Sequence, residues 1–156
     1  MLLAPNTESQ FDRLADKLRL AQAVTPELMS EAIAKLCVRL PLLSRNGNAA
    51  TRNLQLIQVG AWLDASLSLV ELELPGWSLR RLTCDSGEWH CSLSRQPNLP
   101  VELDDTIDAS HAVPSLAILL ALLEARRILA PPAASPVPKL GAMLVPTHVV
   151  CCDNFG

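Results

Sequence analysis

The chain of 156 residues lacks several features that would point to a function directly. It has no tyrosine and two phenylalanines, and its formal net charge is −3 with an isoelectric point near 5.5. Proteins that bind DNA or RNA use a surplus of Lys and Arg to neutralise phosphates, so this charge argues against nucleic-acid binding. The sequence also has no Lys- and Arg-rich block that would bind an anionic membrane surface.

Long apolar runs are absent as well. The most apolar stretch is AVPSLAILLALL, residues 112–123, which is shorter than the roughly 20 residues that a membrane-spanning helix needs. The opening MLLAPNTESQ has no positive start, and its apolar run stops at Pro5, unlike a secretory signal. We therefore expect a cytoplasmic protein that is not embedded in a membrane.

The five cysteines form no recognisable framework. Their number is odd, which in a chain without an export signal predicts reduced thiols. No C-x₂-C pair is present, and adjacent donors cannot easily turn toward one zinc ion. Cys84 and Cys91 are therefore predicted to pack in the core, and no metal or other cofactor is predicted. The motifs G-x-S-x-G, P-loop and G-x-G-x-x-G are also missing, so no catalytic residue is assigned.

The residues that are present predict a folded protein. Apolar residues make up 49% of the chain, which is enough for a packed core. Helical periodicity predicts two amphipathic helices at the start, with Thr25 capping the second and Pro26 in its first turn. It also predicts a long helix from Ala49 to Leu74, which Pro75 and Gly76 end.

The hydrophobic period then changes from 3.6 to 2. SLRRLTCD and EWHCSLSR flank Ser86-Gly87, a two-residue turn signal. A two-residue turn sets Cys84 opposite Trp89 and Leu82 opposite Cys91, so that the apolar sides of both strands coincide. We therefore predict a β-hairpin in which these four side chains face the helices.

A third strand is predicted over VELDDTIDAS, residues 101–110. Its apolar residues alternate with the polar residues Glu102, Asp104, Thr106, Asp108 and Ser110. As a helix, this stretch would align Asp104, Asp108 and His111 as a metal site would need. As a strand, it holds Asp104 and Asp108 about 13 Å apart at ~3.3 Å per residue. The alternation favours the strand and a solvated row of carboxylates.

These elements define an α+β fold. We expect a two-layer domain, with a three-stranded antiparallel meander packed against helices in the order α-β-β-β-α and two N-terminal helices before it. The domain boundaries are predicted as an N-terminal helical segment at 1–45, the α+β core at 46–130 and a Pro-rich tail at 131–156. Prolines exclude regular structure at 131–138. AMLVPTHVVCC, at 142–152, is either an edge strand or loose.

The segments GAW, LPGW and GEWHCSLSRQ, at 60–62, 74–77 and 87–96, resemble a group of known sequences. Residues 60–127 are similar to short uncharacterised proteins of rhizobia and related alphaproteobacteria. More distantly, the layout resembles small helix–sheet domains of phage proteins. The resemblance implies a small bacterial domain and brings no functional residue with it.

The polar side of the hairpin is the predicted functional surface. Arg81, Thr83, His90 and Ser92 form a candidate interaction face. The favoured function is a non-enzymatic interaction or accessory domain, with an unknown protein partner or self-association through the apolar helix at Pro114–Ala130. Two alternatives stay open. One is a metal- or redox-responsive protein that uses Cys151, Cys152 and His148, with Cys37 as a further candidate, and the other is an enzyme with an unrecognised site.

Overall fold

The structure is a computed structural model and describes residues 7–43, 45 and 47–130. The first helices of this part of the chain are α1 (Thr7–Leu20), α2 (Pro26–Leu36), α3 (Leu40–Leu43), α4 (Asn48–Gln58) and α5 (Trp62–Glu73). The strands β1 (Ser78–Asp85), β2 (Glu88–Ser94) and β3 (Thr106–His111) follow, and α6 (Pro114–Leu129) comes last. Among the described residues, every helix falls short of the length or hydropathy that crossing a bilayer requires.

The strands form an antiparallel sheet in the order β1-β2-β3. Ser86 and Gly87 both have positive φ, at 53° and 86°, which is the geometry of a two-residue hairpin turn. Cys84 pairs with Trp89 and Leu82 pairs with Cys91. The predicted register is therefore confirmed.

Helix α6 lies against β2 and β3, and α1, α2 and α5 pack on it from other directions. Residues 115–123 of α6 are all buried, as expected for a helix that is apolar on every side. The predicted fold, a two-layer α+β domain with helices before the sheet and one after, is confirmed. Residues 115–123 of α6 are covered within one copy of the chain, whereas Ile128 and Leu129 at its end are exposed. Self-association through Pro114–Ala130 stays a prediction.

The predicted long helix from Ala49 to Leu74 is wrong, because the chain breaks at residues 59–61. Gly60 has a φ of +74°, a left-handed conformation that glycine adopts without a steric penalty and that ends a helix. The chain then reverses, and α4 and α5 pack against each other. Asn53, buried in α4, donates a hydrogen bond from Nδ2 to the carbonyl oxygen of Ala65 at 2.9 Å and links the two helices.

The predicted third strand begins later than expected. Val101–Leu103 form a turn of 3₁₀ helix, and both Val101 and Leu103 are exposed, at 63% and 71%. Only Thr106–His111 pair with β2. The alternating pattern of residues 101–105 therefore does not mark a sheet face. A second irregularity lies in β1, where the register shifts between Leu79 and Arg81 and leaves Arg80 as an extra residue, a β-bulge.

A buried carboxylate joins the early helices to α5. The side chain of Glu73, the last residue of α5, accepts hydrogen bonds from the backbone N–H groups of Val38, Arg39 and Leu40 at 2.6–3.0 Å. These groups lie at the start of α3, where a helix has no internal acceptors. Glu73 therefore acts as a cap supplied from more than thirty residues away along the chain.

We predict that Glu73→Ala lowers the free energy of unfolding by on the order of 3 kcal/mol, because it leaves three N–H groups without acceptors. Glu71→Ala, which removes an exposed carboxylate from the same helix, is the matched control and should cost well under half as much. Urea unfolding followed by circular dichroism measures both. Equal losses for the two variants would show that the cap does not stabilise the fold.

Candidate functional site

The outer face of the sheet, opposite the helices, carries two rows of polar side chains that cross all three strands. In the first row Arg81 pairs with Ser92 and Ser92 pairs with Asp108. In the second row Thr83 pairs with His90 and His90 pairs with Ser110. The structure thus brings together the four residues predicted as an interaction face and adds Asp108 and Ser110 of β3. We call these six residues the polar face.

The polar face lines a shallow depression of about 710 Å³. Arg81, Thr83 and His90 are exposed, whereas Ser92 is 8% exposed because it lies on the central strand between side chains on both neighbours. No residue of a described helix lines this depression. In the part of the chain that the structure describes, this side of the sheet is therefore open to solvent.

The charge of the depression is mainly acidic. Asp85 and Glu88, at the hairpin end, pair with each other and point to the same side as the polar face. Glu88 also accepts a hydrogen bond from the hydroxyl of Ser110 at 2.7 Å, which links β2 to β3. Asp85 and Asp108 line the depression with the guanidinium of Arg81, and Glu88 lies beside it at the end of the hairpin. In the sequence, the alternation of polar and apolar residues in TIDAS, residues 106–110, indicated that Asp108 and Ser110 lie on the polar side of the strand.

The cysteines of the hairpin differ from each other. Cys91 is 1% exposed and packs in the core as predicted, and Trp89 packs partly against the core. Cys84 is exposed, so its predicted core packing is wrong. It lies next to the turn, and Asp85, Ser86 and the rest of this end of the hairpin are exposed as well, which shows that the helices cover only the base of the hairpin.

Burial raises the pKa of two thiols. The pKa of Cys91 rises to about 12, mainly through burial and secondarily through the nearby carboxylate of Asp108. The pKa of Cys37 also rises to about 12, again mainly through burial and then through the charge of Glu73. A thiol with such a pKa stays protonated at neutral pH and is a poor nucleophile and metal ligand. Cys37 is thus buried as a protonated thiol, and His148, Cys151 and Cys152 lie outside the described residues, so the metal or redox alternative stays a prediction.

Asp104 does not belong to the polar face, which corrects the predicted row of carboxylates. Its side chain is 0% exposed and forms an ion pair with Arg80, the bulged residue of β1. It also accepts hydrogen bonds from the hydroxyl of Ser94 and the backbone N–H of Gln96. Arg80 in turn donates to the carbonyl oxygen of Leu99 at 2.9 Å. This cluster closes the loop between β2 and β3 and removes residues 101–104 from the sheet.

The environment of Asp104 favours its ionised form. The hydroxyl of Ser94 holds the pKa of the Asp104 carboxyl below its usual range, and the Arg80 guanidinium and the N–H of Gln96 act in the same direction against the opposing effect of burial. Asp104 is thus a structural ion that stabilises the loop, and its carboxylate is already bonded to Arg80, Ser94 and Gln96.

His111 also lies away from Asp104 and Asp108, with which a helix would have aligned it. Its ring is largely buried, with Nδ1 accepting a hydrogen bond from the N–H of Val113 at 2.9 Å and Nε2 lying 3.3 Å from the carbonyl oxygen of Arg19. The neutral ring with its proton on Nε2 satisfies both contacts. Among the described residues, no group of three or more His, Cys, Asp and Glu side chains is arranged to hold a metal ion.

Comparison with known proteins gives no assignment. No family model, no curated protein and no solved structure matches this chain. The similarity of residues 60–127 to the rhizobial proteins therefore stays a prediction, and the function has to be argued from the geometry of the site.

We predict that alkylation of the native protein distinguishes its thiols. Cys84 should react with iodoacetamide at the rate of an ordinary exposed cysteine, and Cys37 and Cys91 should react at least about a hundredfold more slowly, because they are buried and hold almost no thiolate at neutral pH. Peptide mass spectrometry measures the rates at each site. The three rates should converge in urea, and fast labelling of Cys91 before unfolding would contradict the structure.

Asp104 gives a prediction on pH. Its pKa is lower in the folded than in the unfolded chain, so its stabilising effect is present above the unfolded value of about 3.9 and is lost as the pH falls through the folded value. We expect Asp104→Asn to be less stable than the wild type at pH 7 and this difference to shrink below pH 4. Urea unfolding across pH 2–7 measures it. Asp105→Asn, at an exposed neighbour, should show no such trend.

Proposed function

We propose that this chain is a small non-enzymatic interaction domain whose polar face binds a partner protein. The observation that carries the proposal is the open depression of about 710 Å³ on the outer side of the sheet, lined by two cross-strand rows of polar residues. The core supports the base of this surface from behind, since Cys91, Leu93 and Ile107 of the same strands are buried. A polar and exposed face on such a scaffold is suited to recognition of another surface.

The charges of the depression indicate the chemistry of the partner. The carboxylates of Asp85 and Asp108 outnumber the guanidinium of Arg81 in the lining, and Glu88 adjoins them, so the complementary surface carries more Lys and Arg than Asp and Glu. The same excess of carboxylates opposes a phosphate-bearing ligand. The exposed hydroxyls of Thr83 and Ser110 supply hydrogen bonds that fix the orientation of the partner.

The geometry supports binding over catalysis. Two described cysteines lie close to His90 in the sheet: Cys91 follows it in β2, and Cys84 pairs with its other strand neighbour, Trp89. Successive residues of a strand point to opposite sides of the sheet, so the Cys84 thiol and the His90 ring are not directed at a common point. A nucleophile needs its general base within hydrogen-bond reach, and this arrangement does not provide that. A cytoplasmic location is part of the proposal and rests on the sequence alone.

Site-specific photo-crosslinking in the native host tests the proposal. A photoreactive amino acid at Thr83 should give one dominant protein adduct, and the adduct should map to a basic region of that protein. Asp108→Lys should reduce the adduct at least about tenfold, because it replaces an attractive charge with a repulsive one. The matched control is Asp64→Lys, which reverses an exposed carboxylate on α5 away from the depression and should leave the adduct unchanged.

Two outcomes would refute the proposal. The first is a set of adducts from Thr83 that matches the set obtained with the photoreactive residue at Arg52, on α4. The second is equal loss of the adduct for Asp108→Lys and Asp64→Lys, which would indicate a general response to charge and no recognition by the polar face.

A further inference from the structure

Among the described residues, β3 pairs with β2 on one side and with no strand on the other. In a hairpin with a two-residue turn, the residues next to the turn form a hydrogen-bonded pair, and such pairs then alternate along the ladder. Asp85 and Glu88 are that pair here, so the even-numbered residues of β2 bond to β1 and the odd-numbered residues bond to β3. In β3 the backbone N–H and C=O groups of the even-numbered residues therefore point away from the sheet. These residues are Thr106, Asp108 and Ser110.

A groove runs along this edge. One section, of about 440 Å³, lies between β3 and the α6 residues Leu120, Glu124 and Ile128. A second section, of about 460 Å³, continues past Ser110 and His111 to Arg19 and Leu20 at the end of α1. Leu20 and Ile128 are exposed by 82% and 68%. The groove thus combines an open strand edge with exposed apolar side chains at both of its ends.

Helix α1 limits what can be added at the edge of β3. The end of α1 stands beside the edge of β3, where the carbonyl oxygen of Arg19 lies 3.3 Å from the ring of His111 and the guanidinium of Arg19 contacts Glu124 of α6. A second copy of the domain that paired through this edge would also bring its own helices close to α1. An isolated extended segment carries no helices and meets no such obstacle.

We propose that the groove is the docking site for Thr147–Cys152 of the same chain, added to β3 as a fourth strand. This segment, THVVCC, has six residues, as β3 does, and it contains no proline and no acidic or basic residue other than His148. Thr147, Val149 and Val150 are β-branched and favour strands. Every second side chain of an added strand faces the helices, where Leu20 and Ile128 are exposed.

The length of chain between α6 and this segment permits the docking. α6 ends at Leu129, one residue after Ile128, which lines the groove. Residues 131–146 then span up to about 50 Å when extended, against about 20 Å for the six residues of β3. The segment can therefore reach either end of the groove. A tether of this kind gives a local concentration on the order of millimolar, which favours the chain's own segment over a free partner.

Hydrogen exchange measured by NMR on the full chain tests the proposal. The amides of Asp108 and Ser110 should exchange at least about a hundredfold more slowly than in an unstructured chain, because the fourth strand accepts their hydrogen bonds. The double variant Val149→Pro and Val150→Pro should abolish this protection, since proline disrupts strand pairing. The matched control is Ala133→Pro with Ala134→Pro, two prolines added to the Pro-rich stretch, which should keep it.

The amides of Ile107 and Ala109, which bond to β2, should stay protected in every variant and show that the domain is folded. Fast exchange of Asp108 and Ser110 in the wild type would overturn the proposal. Protection that survives the Val149 and Val150 substitutions would also overturn it, and a dependence on protein concentration would then identify a second copy as the occupant. The proposal does not rest on the proposed function, because the readout lies at the edge of β3 and uses no partner.

Discussion

The fold depends on one constraint, which is that α6 must be covered on every side. Residues 115–123 of this helix are apolar or small in every direction, so a sheet on one side alone leaves much of the helix in contact with water. β2 and β3 cover one side, and α1, α2 and α5 cover the others. Removal of apolar surface from water is the main favourable term in folding, so the early helices belong to the same hydrophobic core as the sheet.

The parts of the fold that follow from hydrophobic pattern were predictable. A shift of one residue in the hairpin would turn all its apolar side chains to solvent, so the pairing of Leu82 with Cys91 follows from the sequence. The start of β3 was not predictable, because it is set by the ion pair between Arg80 and Asp104, which joins residues far apart in the chain. The break at Gly60 was missed for another reason, since helical periodicity continues on both sides of it.

The candidate site was likewise predictable in part from the hydrophobic pattern. Alternation placed Arg81, Thr83, His90 and Ser92 on one face, and the structure adds Asp108 and Ser110 from β3. The exposure of Cys84 was missed, because a pattern gives the side to which a residue points and does not give how far the covering helices extend. Whether a side chain at the end of a hairpin is buried depends on how far the helices of the neighbouring layer extend along the strands.

The bulge at Arg80 has a consequence for the sheet as a whole. Continuous assembly of sheets into fibres by edge-to-edge strand pairing needs a regular strand at both edges of the sheet. Every copy can then pair with one neighbour on each side. Here β1 is interrupted by the extra residue, and the ion pair of Arg80 with Asp104 fixes that interruption in place. A strand added at this edge would meet a regular ladder only over residues 81–85, which disfavours continuous pairing through β1.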